Sequence, residues 1–521
     1  MKAGNARIGV VVAIAVAILV PMLHARHRAQ AQPPGPPPVQ APTPSGAQPV
    51  NELKLGSLTL KPCALKTPGS AVTTAAYCAP FEVPENRADP HSRKIGLKLA
   101  IVKSGAQVAA KDLVVYLAGG PGEAATEGYA QIAPAFAPLR KHHDILLLDQ
   151  RGTGGSHPLD CPQAAKAIKA SADQPFDVQR VRAQTAQCLA EVQKTSDPRH
   201  YTTTDAVADL EAVRQALGAP KLDLVGISYG TRMAQQYVRS HPEAVRSIVL
   251  DGVVPNQLVL GADFARNLER ALKLQSQACV ATPACKAAFG DPYAALHALH
   301  DKLRAQSAQA TFPDPESFEA KHKPVTADTL AGVARMFSYN AETAALLPLT
   351  VAQAAQGNYT PLMGQAQILA GSLDSAMNNG MQLSVICAED ADLLQENPAD
   401  ANTILGGEIV EGIKAECAVW PHGARPADFH APFQSSIPTL LLSGERDPVT
   451  PPRYADEVLK GLGDARSLVA RGMGHSILMR GCVPKLVDRF VTDLQPKQLD
   501  AACIKQIGPV PAFVNFNGAA P

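Results

Sequence analysis

Short apolar runs bounded by glycine, proline or aspartate recur along the chain, and they constrain its fold most strongly. Segments with helical spacing lie between several of them; Asp205–Leu217, for example, has an apolar residue at every third or fourth position after a threonine-rich start that can cap a helix. Strands that alternate with helices predict an α/β fold with a mostly parallel central sheet covered on both faces. The predicted strands are Ile95–Val102, Leu113–Ala118, Asp144–Leu148, Leu222–Val225, Val245–Leu250, Thr439–Leu442 and Ser467–Ala470.

One long interval, from Asp251 to Pro438, interrupts this alternation. A structureless loop of that length is implausible in a compact domain. Phe264, Leu268 and Leu272 are spaced by four and indicate a helix. We therefore expect a largely helical cap insertion over residues 255–435, which divides a core into residues 51–254 and 436–521. Further helices are predicted at Asp328–Phe337, Ala341–Ala355 and Thr403–Ile413.

The amino-terminal segment has the features of an export signal. Lys2 and Arg7 precede an uncharged apolar run, Ile8–Leu23, and Ala29-Gln-Ala31 has the form of a signal peptidase site. We predict a signal peptide over residues 1–31; an uncleaved membrane anchor is the alternative. Residues 32–50 are rich in proline, glutamine and alanine, which predicts an extended linker.

Ten cysteines agree with an oxidising compartment, and therefore with a periplasmic or extracellular location. No CxxC pair or Cys/His cluster with zinc spacing is present, so a metal site is not expected. Sequence alone does not fix connectivity, but pairing neighbours along the chain gives five short loops. The predicted pairs are Cys63 with Cys78, Cys161 with Cys188, Cys279 with Cys285, Cys387 with Cys417, and Cys482 with Cys503.

The pentapeptide Gly226-Ile-Ser-Tyr-Gly230 lies where a predicted strand meets a predicted helix. Two glycines around a serine also occur by chance, so the context carries the argument. A sharp turn from strand to helix needs small residues at both glycine positions, and it leaves the hydroxyl of Ser228 clear of the sheet. Ser228 is therefore a candidate nucleophile.

A serine hydroxyl needs a general base, and the hydrolases that use such a turn place a carboxylate and then a histidine further along the chain. Asp447 follows the predicted strand Thr439–Leu442, and His475 follows the next predicted strand in a glycine-flanked loop. His475 would accept the serine proton, and Asp447 would orient the imidazole. Glu445 is the rival acid, but Asp447 lies deeper in the loop.

The developing oxyanion also needs backbone N–H donors. The loop Leu117-Ala-Gly-Gly-Pro-Gly122 follows a predicted strand and can supply one of them. Because Pro121 has no N–H, Gly122 is the expected donor, with Gly120 as the alternate. Tyr229, directly after the nucleophile, supplies the second donor.

With these motifs in place, the chain resembles the prolyl aminopeptidase and tripeptidyl aminopeptidase family of serine exopeptidases, which have the α/β-hydrolase fold. The matching segments are GGPG, GISYG, GERDPVTP, GMGH and the more diagnostic Asp149-Gln-Arg-Gly-Thr-Gly-Gly-Ser156. The chain departs from the family at Leu117-Ala118, where a histidine often precedes the glycines. The cysteine-containing tail resembles that of the tripeptidyl aminopeptidase branch.

The resemblance implies that the cap supplies acidic residues for the free α-ammonium group of a peptide. Glu389 and Asp390 stand in the matching segment; an ordinary solvated acidic pair is the alternative. An unpaired buried charge is costly, so such a site would reject blocked peptides. Arg151 is expected to be a structural ion-pair partner.

These features predict an exported serine aminopeptidase that releases N-terminal residues or short peptides through an acyl-enzyme, without metal or organic cofactor. A carboxylesterase or lactone hydrolase on the same scaffold is one alternative, since fold does not fix substrate. A non-catalytic binding protein is a second. The expected partners are peptide substrates with a free N-terminus, and no stable protein partner is predicted. A membrane tether is expected only if the signal peptide stays uncleaved. The net charge of +1 with scattered basic residues does not favour nucleic-acid binding.

Overall fold

The computed structural model describes residues 52–171, 174–315 and 317–519. The predicted signal peptide and the linker over residues 32–50 lie outside these ranges. Among the described residues, no helix combines the length and apolar character needed to cross a membrane.

Twelve strands are present in the described ranges, and ten of them form one sheet. Its strand order is β1-β2-β3-β4-β6-β5-β7-β8-β11-β12, while β9 and β10 form a separate hairpin. The strands are β1 (Leu53–Leu55), β2 (Leu58–Lys66), β3 (Thr73–Pro84), β4 (Lys94–Val102), β5 (Leu113–Leu117), β6 (Ile145–Leu148), β7 (Leu222–Ile227), β8 (Val245–Asp251), β9 (Ala308–Pro313), β10 (Ala320–Val325), β11 (Thr439–Gly444) and β12 (Ala465–Ala470).

Every pair from β6 across to β12 is parallel, whereas β1 to β4 pair antiparallel and β4 also meets β6 antiparallel. The predicted α/β fold with a mostly parallel sheet is confirmed. All seven predicted strands are present with small shifts at their ends, and β1 to β3 were not predicted.

Sixteen α-helices are described. Those outside the interval between β8 and β11 are α1 (Ala125–Phe136), α2 (Pro162–Ala170), α3 (Val178–Val192), α4 (Thr203–Leu217), α5 (Tyr229–Ser240), α15 (Pro452–Leu459) and α16 (Val483–Asp493). Those inside it are α6 (Phe264–Ala281), α7 (Pro283–Phe289), α8 (Pro292–Ala305), α9 (Ala327–Phe337), α10 (Ala341–Ala344), α11 (Leu347–Ala355), α12 (Thr360–Ala376), α13 (Asn379–Glu389) and α14 (Glu408–Cys417).

Both faces of the sheet are buried. Val114 and Val115, adjacent on β5, belong to two different apolar clusters, and Leu224 and Val225 on β7 divide in the same way. Successive side chains of a strand point to opposite faces, so a strand that is apolar at every position must be covered on both. This explains why the central strands read as continuous apolar runs.

The interval between β8 and β11 is largely helical, as expected, but three details of the prediction were wrong. The hairpin β9–β10 was not predicted. The expected helix Ala341–Ala355 is two helices, because Pro348 at the start of α11 cannot donate the backbone hydrogen bond of a continuous helix. The expected helix Thr403–Ile413 begins only at Glu408, since a turn that includes Gly406, at φ 61°, precedes it.

The structure forms all five predicted disulfides: Cys63–Cys78, Cys161–Cys188, Cys279–Cys285, Cys387–Cys417 and Cys482–Cys503. The described part of the chain contains no free cysteine. Each bridge closes a loop of 30 residues or fewer in sequence separation. Five disulfides fit a secreted protein, because such bonds persist in oxidising compartments.

Candidate active site

Ser228 occupies the turn between β7 and α5. Its backbone, at φ 56° and ψ −124°, lies in a region that residues with a side chain rarely adopt. Three hydrogen bonds hold it there: Ser228 N–H donates to Asp251 O at 2.9 Å, and the Thr231 N–H and hydroxyl both donate to Ser228 O, at 2.8 and 2.6 Å. The turn has the strained geometry with which hydrolases present a serine at the carboxyl edge of a sheet.

The two glycines of the turn are required by close backbone contacts. A Cβ on Gly226 would lie 2.5 Å from Gly230 O, and one on Gly230 would lie 2.1 Å from Leu117 O. Backbone atoms in a central sheet cannot move far enough to relieve such contacts. The small residues inferred from the sequence are therefore a steric need of the turn.

We expect Gly230→Ala to destabilise the protein by about 3 kcal/mol, because the added methyl group overpacks a rigid part of the core. Gly332→Ala in α9 is the matched control: its new Cβ would meet no atom within 4 Å, and we expect a gain of about 0.5–1 kcal/mol from helix propensity. Urea unfolding of both variants measures the difference. Equal stability of the two variants would refute the steric argument.

His475 and Asp447 lie together in the loops after β12 and β11. The imidazole Nδ1 is 2.7 Å from Asp447 Oδ2, and both side chains are buried. The other oxygen of Asp447 accepts the N–H groups of Val449 and Thr450, at 2.8 and 2.7 Å, and the Thr450 hydroxyl donates to Oδ2. The carboxylate is thus fixed on both oxygens.

These contacts set the ionisation of the pair. Burial raises the pKa of Asp447, but the His475 charge and the hydrogen bonds outweigh it, so the pKa is lowered overall. Burial lowers the pKa of His475, but the charge and hydrogen bond of Asp447 outweigh that effect and raise it. The pair therefore favours a charged imidazolium, as a general base needs after it accepts a proton.

The rival acid Glu445 has a different partner. Its Oε2 accepts the N–H of Gly472 at 2.8 Å, which ties the loop after β11 to the loop after β12. The structure brings Asp447 to the imidazole and places Glu445 in this structural bond. The choice of Asp447 as the orienting acid agrees with this arrangement.

Asp251, at the end of β8, links the turn that carries Ser228 to the loop that carries His475. Its carbonyl accepts the N–H of Ser228, and its carboxylate accepts the N–H groups of Ile477 and Leu478 at 2.8 to 3.0 Å and the hydroxyl of Ser476 at 2.5 Å. The following Gly252, at φ 67°, passes so close to the imidazole that a Cβ there would lie 2.9 Å from Cε1. Sequence reasoning missed Asp251. The signal that could have identified it is a carboxylate at the end of an apolar strand.

The loop expected to hold the oxyanion lies against Ser228 through Gly119. A Cβ on Gly119 would be 3.3 Å from the Cβ of Ser228 and 3.2 Å from Oε2 of Glu123. The predicted donor Gly122, at φ 110°, receives the N–H of Asn378 on its carbonyl at 3.0 Å. Tyr229 begins α5, where the first N–H groups have no partner within the helix.

Glu123 is a buried carboxyl at this loop that sequence reasoning did not find. Its Oε2 accepts the N–H of Gly119 at 3.0 Å. Burial raises its pKa to about 7, while the Gly119 bond and the charge of His475 oppose that rise. A lone glutamate after a glycine-rich loop gave no signal in the sequence, because only the folded loop turns it back toward the serine.

The cap interval closes over the site. The Tyr339 ring meets the His475 ring edge to face at 5.3 Å between centroids, and Tyr339 O accepts the N–H of His475 at 2.7 Å. Met377 and Asn378, before α13, contact the glycine loop. Ser228 is only 4 % exposed, so its side chain is largely shielded from bulk solvent.

The acidic pair predicted to bind substrate lies at the end of α13, and both residues are fully buried. Glu389 accepts the N–H of Thr203 at 2.6 Å and its hydroxyl at 2.9 Å, and that hydroxyl lies 2.6 Å from the Tyr229 hydroxyl. Burial raises the pKa of Glu389 to about 8. Glu389 is therefore connected through Thr203 to Tyr229, in the turn that carries Ser228.

Asp390 has a different environment. Its Oδ2 accepts from Arg232 Nη1 at 2.8 Å in a fully buried ion pair, while its Oδ1 has no hydrogen-bond partner among the described residues. The nearby His430 imidazole contacts the carbonyls of Asn256 and Glu389, both at 2.7 Å. Glu389 and Asp390 are thus two adjacent buried carboxylates, and Arg232 neutralises the charge of Asp390.

Arg151, expected to be structural, is fully buried and forms a two-pronged ion pair with Asp209, with both N–O distances at 2.7 Å. That prediction is confirmed. Asp149, two residues earlier, accepts from Thr126 and from the N–H of Gly155. The DQRGTGGS segment is therefore a packing element beneath the site. Within the described ranges, no group of three or more histidine, cysteine, aspartate or glutamate residues is arranged to hold a metal ion.

Comparison with known proteins agrees with this geometry. A family model described as alpha/beta hydrolase fold matches residues 112–481. A tripeptidyl aminopeptidase of Streptomyces lividans is 24% identical over 471 residues, which cover 83% of this chain and 84% of the relative. The serine protease Hip1 of Mycobacterium tuberculosis is 26% identical over 479 residues, covering 85% and 89%. A proline iminopeptidase of Neisseria gonorrhoeae is 30% identical over 140 residues, covering 27% and 32%.

Proposed function

The chain belongs to the α/β-hydrolase fold family, and on this premise we propose that it is a serine aminopeptidase that releases N-terminal residues or short peptides through an acyl-enzyme. The observation that carries the proposal is the buried His475–Asp447 pair together with a serine held in a strained turn, which Asp251 links to the histidine loop. The names of the relatives add support, since they include aminopeptidases and a serine protease.

Ser228, His475 and Asp447 take the three roles of a catalytic triad. The Ser228 hydroxyl attacks the scissile carbonyl while Nε2 of His475 accepts its proton. That nitrogen is buried and has no hydrogen-bond partner among the described residues, so it is free to act as an acceptor. It then donates the proton to the leaving amine, and a water molecule hydrolyses the acyl-enzyme by the reverse sequence of proton transfers.

The oxyanion would be stabilised by the N–H of Tyr229 and by the N–H of Gly122, with Gly120 as the alternate donor. Tyr229 supports this role through its position at the start of α5, where the helix dipole also favours negative charge. Glu123 acts as a positioning residue, because it holds the loop through Gly119.

Glu389 and Asp390 would bind the free α-ammonium group of the substrate. A carboxylate has about four acceptor positions, and Thr203 occupies two of those on Glu389. Asp390 adds an oxygen that has no hydrogen-bond partner among the described residues. A buried carboxylate whose pKa is raised by burial gains most from an arriving cation, because the cation stabilises its charged form.

We expect Glu389→Gln to lower kcat/KM for free-amino peptide arylamides about 10- to 100-fold, which is the usual effect of losing a hydrogen bond to a charged group.

The direction of the pH dependence of kcat/KM follows from the ionisation of Glu389. Because the pKa of Glu389 lies at about 8, kcat/KM of the parent should rise as pH increases toward that value. At higher pH the substrate amine, whose pKa is also about 8, loses its proton and can no longer pair with the carboxylate. We therefore expect kcat/KM to pass through a maximum. Glu389→Gln should lose the rising limb near pH 8.

Asp392→Asn is the matched control, because Asp392 is an exposed acid in the same segment, paired with Arg425. It should leave kcat/KM unchanged. N-blocked arylamides and simple aryl esters should be poor substrates that do not respond to Glu389→Gln. Turnover of esters and blocked amides alone, with no response to Glu389→Gln, would instead establish the esterase alternative.

Export is part of the proposal. The five disulfides and the sequence of residues 1–31 support a periplasmic or extracellular location after signal cleavage. Amino-terminal sequencing of the protein recovered from the producing cell tests this. A mature chain that begins near Gln32 supports cleavage, and an intact Met1 or Lys2 terminus in the membrane fraction supports an anchor.

A further inference from the structure

Arg335, in the last turn of α9, is a buried cation that forms no ion pair with any described carboxylate. Arg335 is 6 % exposed. Neither Nη1 nor Nη2 of its guanidinium has a hydrogen-bond partner among the described residues. The buried arginines Arg151 and Arg232 differ, since each is paired with a carboxylate at 2.7 to 2.8 Å. Arg335 is therefore an exception that needs an explanation.

Two features compensate the charge only in part. The guanidinium carbon lies 4.8 Å from the centroid of the Phe264 ring, which gives a cation–π contact. The position in the last helical turn is also favourable for a cation. Neither feature accepts the Nη hydrogens, and burying charged donors without acceptors is costly. An acceptor absent from the chain itself would complete the site.

The unpaired cation lies next to the catalytic machinery. Tyr339, four residues further along, packs edge to face on the His475 ring. Its hydroxyl is buried. Burial raises the pKa of this hydroxyl, whereas the charge of Arg335 and a side-chain hydrogen bond with Arg335 oppose the rise, which places the two groups side by side. The Arg335 guanidinium and the Tyr339 hydroxyl thus share one location beside the imidazole, and the guanidinium has further N–H donors to offer an acceptor.

We propose that Arg335 and Tyr339 bind a carboxylate of the substrate beside His475. A guanidinium presents two parallel donors that match the two oxygens of a carboxylate, and the phenol adds a third donor. Asp447 cannot serve as the partner, because both of its oxygens are already bound by His475, Thr450 and backbone N–H groups. The inference rests on the proposed peptidase function and specifies its substrate.

Two sources of such a carboxylate are open to test. One is the C-terminal carboxylate of a short peptide, which would make the enzyme prefer small peptides. The other is an aspartate or glutamate side chain near the scissile bond. The chemistry of recognition is the same for both, so the substrates must separate them.

The first experiment uses the parent enzyme and two matched peptide pairs with free amino termini. One pair compares a free C-terminal carboxylate with the C-terminal amide of the same short neutral peptide. The other compares glutamate with glutamine beside the scissile bond in amidated peptides. We expect one pair to show a preference of about 10- to 100-fold in kcat/KM for the carboxylate, set by the strength of charge-assisted hydrogen bonds.

The second experiment assigns the preference to Arg335. In Arg335→Met, which keeps the packing on Phe264, KM for the preferred carboxylate substrate should rise about 10- to 100-fold while kcat/KM for its amide or glutamine match stays within about twofold. Arg335→Lys should recover part of the loss, and Tyr339→Phe should show a smaller loss of the same kind. Arg489→Met, at an exposed ion pair with Asp493, is the control and should change nothing.

The outcomes are distinguishable. Equal cleavage of carboxylate and amide substrates by the parent would overturn this inference alone, and water would then be the occupant of the site. An equal loss on both substrates in Arg335→Met would also overturn it, since that is the mark of a purely structural residue. If no peptide is cleaved at all, the proposed function fails and this inference falls with it.

Discussion

Ser228→Ala is expected to lower kcat about 10⁶-fold. The residues of a catalytic triad act together, so removing the nucleophile costs about as much as removing all three. The loss should be equal for peptide and ester substrates, because both need the same nucleophile. Residual activity above the uncatalysed rate would come from the oxyanion donors and substrate binding. Steady-state kinetics with a free-amino arylamide measures it, and thermal unfolding should show that the variant is folded.

Ser443→Ala is the matched control for this variant. Ser443 is buried on β11, and its hydroxyl has no hydrogen-bond partner among the described residues. Removing that hydroxyl should leave kcat within about threefold of the parent, since the side chain contacts no reacting atom. A comparable loss of activity in both variants would show that Ser228 acts through packing and would contradict the proposed mechanism.

Asp447→Asn is expected to lower kcat about 10⁴-fold while leaving the geometry of the loop intact. The amide is close to the carboxylate in shape, but its NH₂ group cannot accept a hydrogen bond from Nδ1–H of His475. It would donate to Nδ1 instead and so favour the wrong tautomer of the imidazole. The acid limb of the pH–activity profile should also move to lower pH, because the charge of Asp447 helps to raise the pKa of His475.

Glu445→Gln provides the comparison for this second variant, because Glu445 is an acid in the same loop. It bonds to the N–H of Gly472 rather than to the imidazole. A glutamine oxygen can still accept that bond, so kcat should fall by less than about tenfold. A reversed order, with Glu445→Gln the more damaging change, would make Glu445 the orienting acid.

The parts of the site that sequence reasoning reached are those set by local chemistry. Gly226 and Gly230 mark a strand-to-helix turn because only glycine fits there, and the contacts at 2.5 and 2.1 Å show the reason. Asp447 and His475 follow apolar strands whose carboxyl ends meet at one edge of a parallel sheet. Disulfides between neighbouring cysteines could be anticipated for a similar reason, since their loops are short.

The antiparallel strands at the amino-terminal side of the sheet were not predicted, and prolines explain why. Pro62 lies in β2 and Pro80 in β3, and a proline in an apolar run argues against a central strand. The register shows how β2 accommodates its proline: β1 pairs only with Leu58–Leu60, so Pro62 has a neighbour strand on one side, β3.

The remaining parts of the site depend on how the cap packs on the core. Tyr339 meets His475 across 136 residues of sequence, and Glu389 reaches Thr203 across 186. No periodicity or spacing encodes such contacts, because they form only when separate elements dock. Arg335 belongs to the same class: in the sequence it is an ordinary helix-ending cation, and only burial shows that it lacks a partner.

Labelling with an active-site serine phosphonate, followed by mapping of the modified peptide, tests the central claim most directly. We expect the parent to be modified at Ser228 with one equivalent of reagent and a matching loss of activity. Labelling should become faster as pH rises through the pKa of His475, since the free imidazole must accept the serine proton. Ser228→Ala should remain unlabelled. Equal labelling of Ser228→Ala and the parent, or modification at another residue, would contradict the account.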